Sequence, residues 1–172
     1  MKEKINITEY AQKITEMLPK GILLNTNAET FDSMVIGWGA IGTVWGLPAF
    51  TVYVRESRYT KELLDKTGEF TISVPLGEID PEINRICGTL SGRDIDKVKE
   101  AKLTLEEAEV NHTPGIKEYP LTIECKVLYV QDQVENQIPA RILDRMYPKD
   151  AEGKRDLHTA YIGQIVDAYI IR

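Results

Sequence analysis

The chain has 172 residues, 42% of them hydrophobic and 28% charged, with a formal net charge of −6 at pH 7. This composition excludes collagen-like and broadly disordered classes, and the length fits one domain spanning residues 1–172. The acidic balance argues against nonspecific nucleic-acid binding, which needs a basic face. No run approaches the roughly 20 apolar residues that cross a bilayer, and the N-terminus lacks the apolar centre of a signal peptide. We therefore expect a cytoplasmic protein that binds neither nucleic acid nor membrane.

The first sixty residues predict a helix followed by strands. Apolar residues recur at three- and four-residue spacing over 7–18, and Asn6 stands at the capping position, which together predict a helix. A short apolar segment at 21–26 predicts a buried strand, and a turn-prone stretch separates it from a return strand. The return strand belongs to residues 31–60, which hold both tryptophans and four of the twelve glycines. Glycine within a strand often marks a bulge or the close approach of a ligand.

An anion site is predicted where this stretch ends. The strand 49–54 leads into a cluster of guanidinium and hydroxyl groups formed by Arg55, Ser57, Arg58, Tyr59 and Thr60. Thr60 is also the expected N-cap of a helix over 61–66, and a helix N-terminus offers unpaired N–H groups to an anion. Two alternatives stay open on the residues alone. The arginines could be solvated charges paired with Glu56 or Glu62, and Trp38 could simply pack in the core.

The remainder of the chain is rich in predicted strands and lacks the regular alternation of strand and helix that forms a parallel sheet. Strands are expected over 70–74, 103–110, 120–130 and 158–171, the last interrupted by Gly163. Helices are expected over 80–88, in a short piece capped by Asp94 after Ser91, and over 138–146. Loops are expected over 111–118 and 147–156. The predicted fold class is therefore mainly β, an antiparallel barrel with short helices at its margins.

Neither the cysteines nor the acidic turn carries a predicted chemical role. Cys87 and Cys125 lie far apart with no metal-ligand spacing, so we expect reduced thiols that act as small buried hydrophobes. Asp94 and Asp96 lie in a charged turn, where ordinary solvation is expected instead of acid–base catalysis. No metal site is predicted.

Four blocks of residues, in this order along the chain, resemble the flavin reductase-like proteins, a family that includes the flavoredoxins. The blocks are SMVIGWG at 33–39, RESRYT at 55–60, CG with SGRD and DK between 87 and 97, and His158 with YIGQI at 161–165. The resemblance implies the FMN-binding split-barrel fold and a homodimer that holds FMN near the subunit interface.

The same resemblance assigns residues to the parts of FMN. Asp32, Ser33 and Met34 would lie along the isoalloxazine, and Trp38 and Gly39 would border it. The phosphate would be held by Arg55, Ser57, Arg58, Tyr59 and Thr60, in agreement with the anion site predicted from the residues themselves. Ser91 would lie in a loop, 91–97, that covers the flavin edge, and His158 is a candidate contact of the flavin or of a nicotinamide.

The implied function is an FMN-dependent oxidoreductase that moves electrons from NADH or NADPH through bound FMN to a small-molecule or protein acceptor. The alternative is an electron carrier of the flavoredoxin type without an efficient nicotinamide site of its own. Short-chain flavin reductases have a Gly-Asp-His triplet near the nicotinamide, whereas this chain has Asp156-Leu157-His158. A third alternative is a module whose cofactor serves sensing or storage.

Overall fold

One antiparallel sheet forms the barrel of this protein, in a computed structural model that describes every residue from Met1 to Arg172. The strands are β1 (Lys2–Lys4), β2 (Ile22–Asn27), β3 (Phe31–Ile36), β4 (Gly39–Val44), β5 (Leu47–Arg55), β6 (Glu69–Val74), β7 (Leu105–Glu106), β8 (Gly115–Ile116), β9 (Leu121–Asp132) and β10 (His158–Ile171). Hydrogen bonds join the main sheet in the order β3-β2-β6-β9-β10-β5-β4, with β1 also on β10, while β7 and β8 pair separately. The prediction of a mainly β, antiparallel fold is confirmed.

The two ends of the main sheet come together without pairing. β3 and β4 are the terminal strands of the sheet, yet only Gly37 and Trp38 separate them along the chain. Because this linker is so short, β3 stays close to β5, the neighbour of β4. The alternation over residues 34–39 predicted a strand that continues through Gly37 and Trp38, and it missed this break. The barrel is therefore split along a seam between β3 and the β4–β5 hairpin.

Short helices pack against the sheet. They are α1 (Ala11–Met17), α2 (Tyr59–Thr67), α3 (Pro81–Thr89), α4 (Lys97–Glu100) and α5 (Ala140–Met146), with 3-10 turns on both sides of α1 and before α5. Asn6 caps the first of these turns as predicted, since its side chain accepts the Thr8 N–H at 3.2 Å. None of the helices is long and apolar enough to span a membrane.

Two predicted helix caps are wrong. Arg58 is the N-cap residue of α2, and Thr60 lies inside the first turn, where its hydroxyl donates to a buried carboxylate. Asp96, not Asp94, caps α4, because its carboxylate accepts the Lys99 N–H at 3.2 Å. The cap lies where the backbone enters helical geometry, and a run of polar residues makes that point ambiguous in a sequence.

The predicted strand over 103–110 is mostly wrong, since only the two residues of β7 form a strand there. Glu124 of β9 is fully buried and accepts the N–H groups of Glu109, Val110 and Asn111 at 2.6, 2.8 and 2.9 Å. Backbone N–H groups that a carboxylate has taken cannot also pair with a neighbouring strand. The loop predicted over 111–118 contains β8, and the helix predicted over 138–146 begins only after Pro139.

Apolar side chains of the long strands fill the barrel interior, as the two-residue period predicts. β10 covers the predicted residues and is interrupted at Gly163, where its register against β9 shifts. A Cβ atom at this position would lie 2.6 Å from the ring of Phe70, so close packing requires the glycine. Cys87 and Cys125 are unpaired and buried, and burial raises the pKa of each thiol, as expected for small hydrophobes.

Candidate functional site

Two adjoining cavities open at the seam of the barrel. The first, the polar cavity, has a volume of about 200 Å³ and is lined by Arg55, Ser57, Arg58, Tyr59, Thr60, Thr89, Leu90, Ser91, Gly92, Arg93, Lys97 and Asp156. The second, the seam cavity, has a volume of about 180 Å³ and is lined by Met34, Val35, Ile36, Gly37, Trp38, Tyr53, Arg55, Arg58 and His158. Both walls include Arg55 and Arg58, so the two cavities lie side by side, one cationic and the other more apolar.

The polar cavity concentrates positive charge on an acidic protein. Its lining contains three arginines and one lysine against a single carboxylate, whereas the whole chain has a net charge of −6. The first turn of α2 also lies in this wall, and the N–H groups of a first helical turn have no acceptor within the helix. The sequence cluster at 55–60 thus lies around one cavity that suits an anion.

Two of the predicted anion ligands are committed to another part of the protein. The Arg55 guanidinium donates from Nη1 to the carbonyl of Asp156 at 2.7 Å and from Nη2 to the carbonyl of Met146 at 2.9 Å. The Ser57 N–H and hydroxyl donate to the Asp156 carboxylate at 3.0 and 2.6 Å. Arg55 and Ser57 therefore hold the segment before β10 against the site.

Arg58 is less engaged than its neighbour. Its Nη1 donates to the Gly88 carbonyl at 3.3 Å, and it forms no ion pair. The alternative that Arg55 and Arg58 pair with Glu56 or Glu62 is wrong, because Glu62 instead pairs with Arg93. Arg58 is the predicted residue best placed to give its guanidinium to an anion.

A buried ion pair forms the floor of the polar cavity. Asp32 is 1% exposed, and its Oδ2 accepts the Thr60 hydroxyl at 2.5 Å. The Lys97 Nζ lies 3.1 Å from Asp32 Oδ1 but donates to the Ser33 carbonyl at 2.7 Å, so Oδ1 is paired in charge without accepting a hydrogen bond. The Gly92 backbone packs so tightly on this carboxylate that a Cβ atom would overlap it. One carboxylate thus joins β3, α2, α4 and the loop before α4.

Aromatic side chains form one wall of the seam cavity. Trp38 is 38% exposed, which rules out plain core packing, and its ring centroid lies 4.8 Å from that of His158. The buried His158 has its Nδ1 2.8 Å from the Tyr147 hydroxyl. Burial, reinforced by the charges of Arg55 and Arg58, lowers the pKa of His158 to about 4, so the imidazole is neutral at physiological pH.

The two cavities contain nine of the twelve residues that the sequence singled out. These are Met34, Trp38, Arg55, Ser57, Arg58, Tyr59, Thr60, Ser91 and His158. Asp32 lies beneath the polar cavity instead. The Ser33 hydroxyl points away from both cavities and donates to Asn25 Oδ1 at 2.8 Å. Gly39 is outside both linings, and its lack of a side chain is explained by Thr51, whose carbonyl would lie 2.8 Å from a Cβ atom.

Sequence reasoning missed several lining residues, among them Tyr53, Arg93 and Lys97, and also missed Tyr147, which is outside both linings but contacts His158. Arg93 and Lys97 belong to a block that the resemblance singled out, but charges in such a block are typical of a solvated turn. Only its burial, at 6% exposure, distinguishes Lys97 from a solvated lysine. Tyr147 fell in a predicted exposed loop, whereas it is 3% exposed. Tyr53 lies on the face of β5 opposite the buried Val52 and Val54, where the alternating pattern predicts neither a core residue nor a site residue. No local signal marks these residues, since each is brought to the site by distant parts of the chain.

Known proteins share this architecture. The family model described as "Flavin reductase like domain" matches residues 18–172. An uncharacterized protein of Archaeoglobus fulgidus is 29% identical over 126 residues, which are 73% of this chain and 67% of that protein. Among solved structures, the flavoredoxin of Desulfovibrio vulgaris (Miyazaki F) is 24% identical with a TM-score of 0.66, over 88% of this chain and 69% of that one.

A second structural relative carries a different name on the same fold. The NADH:FAD oxidoreductase of Streptomyces globisporus is 12% identical with a TM-score of 0.64, over 88% of this chain and 75% of that one. At these identities the solved structures show a common fold. The family model covers nearly all of the chain, including every strand that lines the two cavities. This chain therefore belongs to the flavin reductase-like domain family.

Proposed function

We propose that this protein binds FMN and moves electrons from NADH or NADPH through it to an acceptor. The observation that carries the proposal is the pairing of a cationic cavity with a seam cavity across Arg55 and Arg58. A flat heterocycle with a terminal phosphate has the same division between an apolar, planar end and an anionic end. Membership of the flavin reductase-like family supports the same ligand.

The phosphate would be held by Arg58, by the N–H groups of Tyr59 and Thr60 at the start of α2, and by Ser91. Guanidinium groups match the geometry of phosphate oxygens, and helix N-termini favour anions. Arg55 and Ser57 would contribute mainly by closing the wall through Asp156, to which both already donate. The loop 91–97 would cover the edge of the ligand.

The ring would lie in the seam cavity beside Met34, Trp38 and His158. The flavin supplies hydride and electron transfer when bound, so no protein nucleophile is required. The chain's own residues orient the ring, exclude water and present hydrogen-bond donors to it. Neutral His158 and the backbone of β3 are the polar groups placed to do so.

Arg58→Ala tests the orientation of the ligand. We expect the dissociation constant for FMN to rise about tenfold or more, because charge-assisted hydrogen bonds to the phosphate are lost, while riboflavin binding is unchanged. Fluorescence titration of each flavin measures both constants. Arg85→Ala is the matched control, since Arg85 is exposed and paired with Glu82. Equal weakening of FMN and riboflavin by Arg58→Ala would contradict the assignment.

An electron carrier of the flavoredoxin type is the second candidate. The observation that favours it is Leu157, which stands before His158 where short-chain flavin reductases have the aspartate of their triplet. Anaerobic mixing of the FMN-loaded protein with NADH and with NADPH separates the two. Rapid bleaching of the flavin absorbance by either nucleotide supports the reductase. Reduction only by a low-potential protein donor supports the carrier.

We also propose that the protein acts as a homodimer. An apolar patch formed by Trp45, Leu128, Tyr129 and Val130 is 41–66% exposed, at the tip of the β4–β5 hairpin and the end of β9. Trp45 and Tyr129 contact each other with ring centroids 6.3 Å apart, which joins the hairpin tip to the end of β9. Exposed apolar surface of this kind is typical of protein interfaces.

A further inference from the structure

The segment between β9 and β10 is held against the seam cavity by two arginines. Arg55 donates to the carbonyl of Met146, and Arg155 donates to the carbonyls of Tyr147 and Leu143. The Arg55 guanidinium also lies 5.1 Å from the centroid of the Tyr147 ring, at cation–π distance. The backbone and the ring of Tyr147 are therefore both fixed in place.

This fixed position brings the Tyr147 hydroxyl to one nitrogen of His158. The two rings meet edge-on at 78°, and the hydroxyl lies 2.8 Å from Nδ1. His158 is the sole hydrogen-bond partner of that hydroxyl. If Nδ1 carried the proton, the Tyr147 hydroxyl proton would have no acceptor at a buried site, which is costly. If Tyr147 donates to Nδ1, both groups are satisfied and the imidazole proton lies on Nε2.

The Nε2 atom has no partner within the protein. Three fully buried side-chain polar atoms lack a hydrogen bond, namely Asp32 Oδ1, Thr113 Oγ1 and Tyr169 OH. His158 Nε2 is not among them, so this unbonded atom is not fully buried. His158 lines the seam cavity, with Trp38 against its ring. Nε2 is therefore an accessible, unpaired atom of a side chain that lines this cavity, and it is free to bond a ligand.

We propose that Tyr147 is a positioning residue that holds neutral His158 with its proton on Nε2, and that this N–H donates to an acceptor atom on a flat ring bound in the seam cavity. The second part rests on the proposed function, since it takes the ring to be that of the flavin or of a nicotinamide. The tautomer is a property of the ligand-free protein.

The charges around His158 keep this donor neutral. Arg55 at the end of β5 and Arg58 at the N-cap of α2 act on it, Asp156 lies two residues before it, and Trp38 packs against its ring. Of these groups only Asp156 favours the imidazolium, and its carboxylate is engaged by Ser57. A neutral N–H suits a carbonyl or ring-nitrogen acceptor, and its donor character should be constant across the neutral pH range.

Nitrogen NMR of the ligand-free protein, labelled at its two histidines, tests the tautomer directly. We expect the His158 Nε2 to resonate as a protonated nitrogen and Nδ1 as an unprotonated, hydrogen-bonded one. In Tyr147→Phe the Nδ1 resonance should move downfield, because it loses its donor. A proton on Nδ1 in the wild type, or an unmoved Nδ1 resonance in the variant, overturns the proposal.

Ligand binding tests the second part. Tyr147→Phe should weaken riboflavin or NADH by about fivefold, as expected for one weakened hydrogen bond, and the ligand affected identifies which ring accepts. Tyr10→Phe is the control, since Tyr10 is outside both cavity linings and outside the apolar patch. Unchanged affinity for both ligands overturns the donor role. Because the spectra need no ligand, a protein that binds no flavin would refute the proposed function and leave the tautomer to be decided by NMR.

Discussion

Burial of His158 has a consequence for stability as well as for the site. The pKa of this imidazole falls from 6.5 to about 4 in the folded protein because burial and neighbouring arginines disfavour its charge. As pH falls below 6.5, the unfolded chain takes up a proton that the folded protein excludes. The free energy of unfolding should therefore decrease between pH 6.5 and 4, by a total of about 3 kcal/mol from this residue.

Urea unfolding at a series of pH values measures this effect. His158→Gln is the comparison, because an amide side chain does not titrate, and its curve should be flatter than that of the wild type between pH 6.5 and 4.5. The carboxylates with lowered pKa, such as Glu69 and Asp96, stabilise the fold above their unfolded pKa and lose that contribution at lower pH in both proteins. If the free energy of unfolding depends on pH in the same way in both proteins, the titration of His158 is not the cause of the decrease.

Individual residues also show how far the sequence could predict the site. The cluster at 55–60 was visible because its charges and hydroxyls are adjacent in the chain. Its division into Arg58, which faces the cavity, and Arg55, which holds the carbonyls of Met146 and Asp156, depends on residues about a hundred positions away. Only tertiary contacts could reveal that division.

At the level of elements, strands with a buried apolar face were predicted accurately, and exposed or very short ones were not. β10 matches the predicted residues 158–171, because a long alternation of apolar and polar residues is enough to identify a strand with one buried face. β4 was missed although it is as long as β2 and β6, because it has no buried residue and contains two glycines. α4 was misplaced because four residues carry too little periodic signal. The bulge at Gly163 was anticipated from one residue type, and the structure supplies its cause in the Phe70 ring.

Gly163→Ala tests whether that bulge is a packing requirement. The added methyl group would overlap the Phe70 ring and lie 3.0 Å from the Cβ of Cys125, so we expect a loss of roughly 1–3 kcal/mol in the free energy of unfolding. Gly42→Ala is the matched control, because it is also in a strand and its Cβ would have nothing within 4 Å. Denaturant unfolding compares the two, and equal effects would mean that strand propensity, not the Phe70 contact, sets the cost.

At the scale of the whole molecule, the seam explains why a cationic and a more apolar cavity lie side by side. β3 and the β4–β5 hairpin close the barrel without pairing, and the first turn of α2 and the loop before α4 lie over the gap that they leave. Residues beyond Lys126 on β9 are paired with β10 alone, because β6 begins at Glu69, opposite Lys126. That unpaired edge adjoins the exposed apolar patch, which is where a second copy could bind.

Trp45 offers a direct test of the proposed homodimer. It occupies the first position of a two-residue hairpin turn with φ of +52°, followed by Gly46 at +75°, a conformation in which Asn-Gly is strongly preferred. A left-handed conformation at a bulky residue costs on the order of 1–3 kcal/mol, and Trp45 is also 66% exposed. A residue so unfavourable to its own hairpin is consistent with the proposed contact between subunits.

Trp45→Asn should therefore separate folding from assembly. We expect the isolated subunit to become more stable, because the turn is relieved, while the dimer dissociation constant rises by about 30-fold, the loss of one central aromatic contact. Sedimentation over a range of concentrations measures the association, and denaturant unfolding at high dilution measures the subunit. Val110→Asn is the control, since Val110 is 47% exposed outside the patch. An unchanged dissociation constant, or a wild type that is monomeric at every concentration, would place the reason for Trp45 within the single chain, where no contact other than the Tyr129 ring accounts for it.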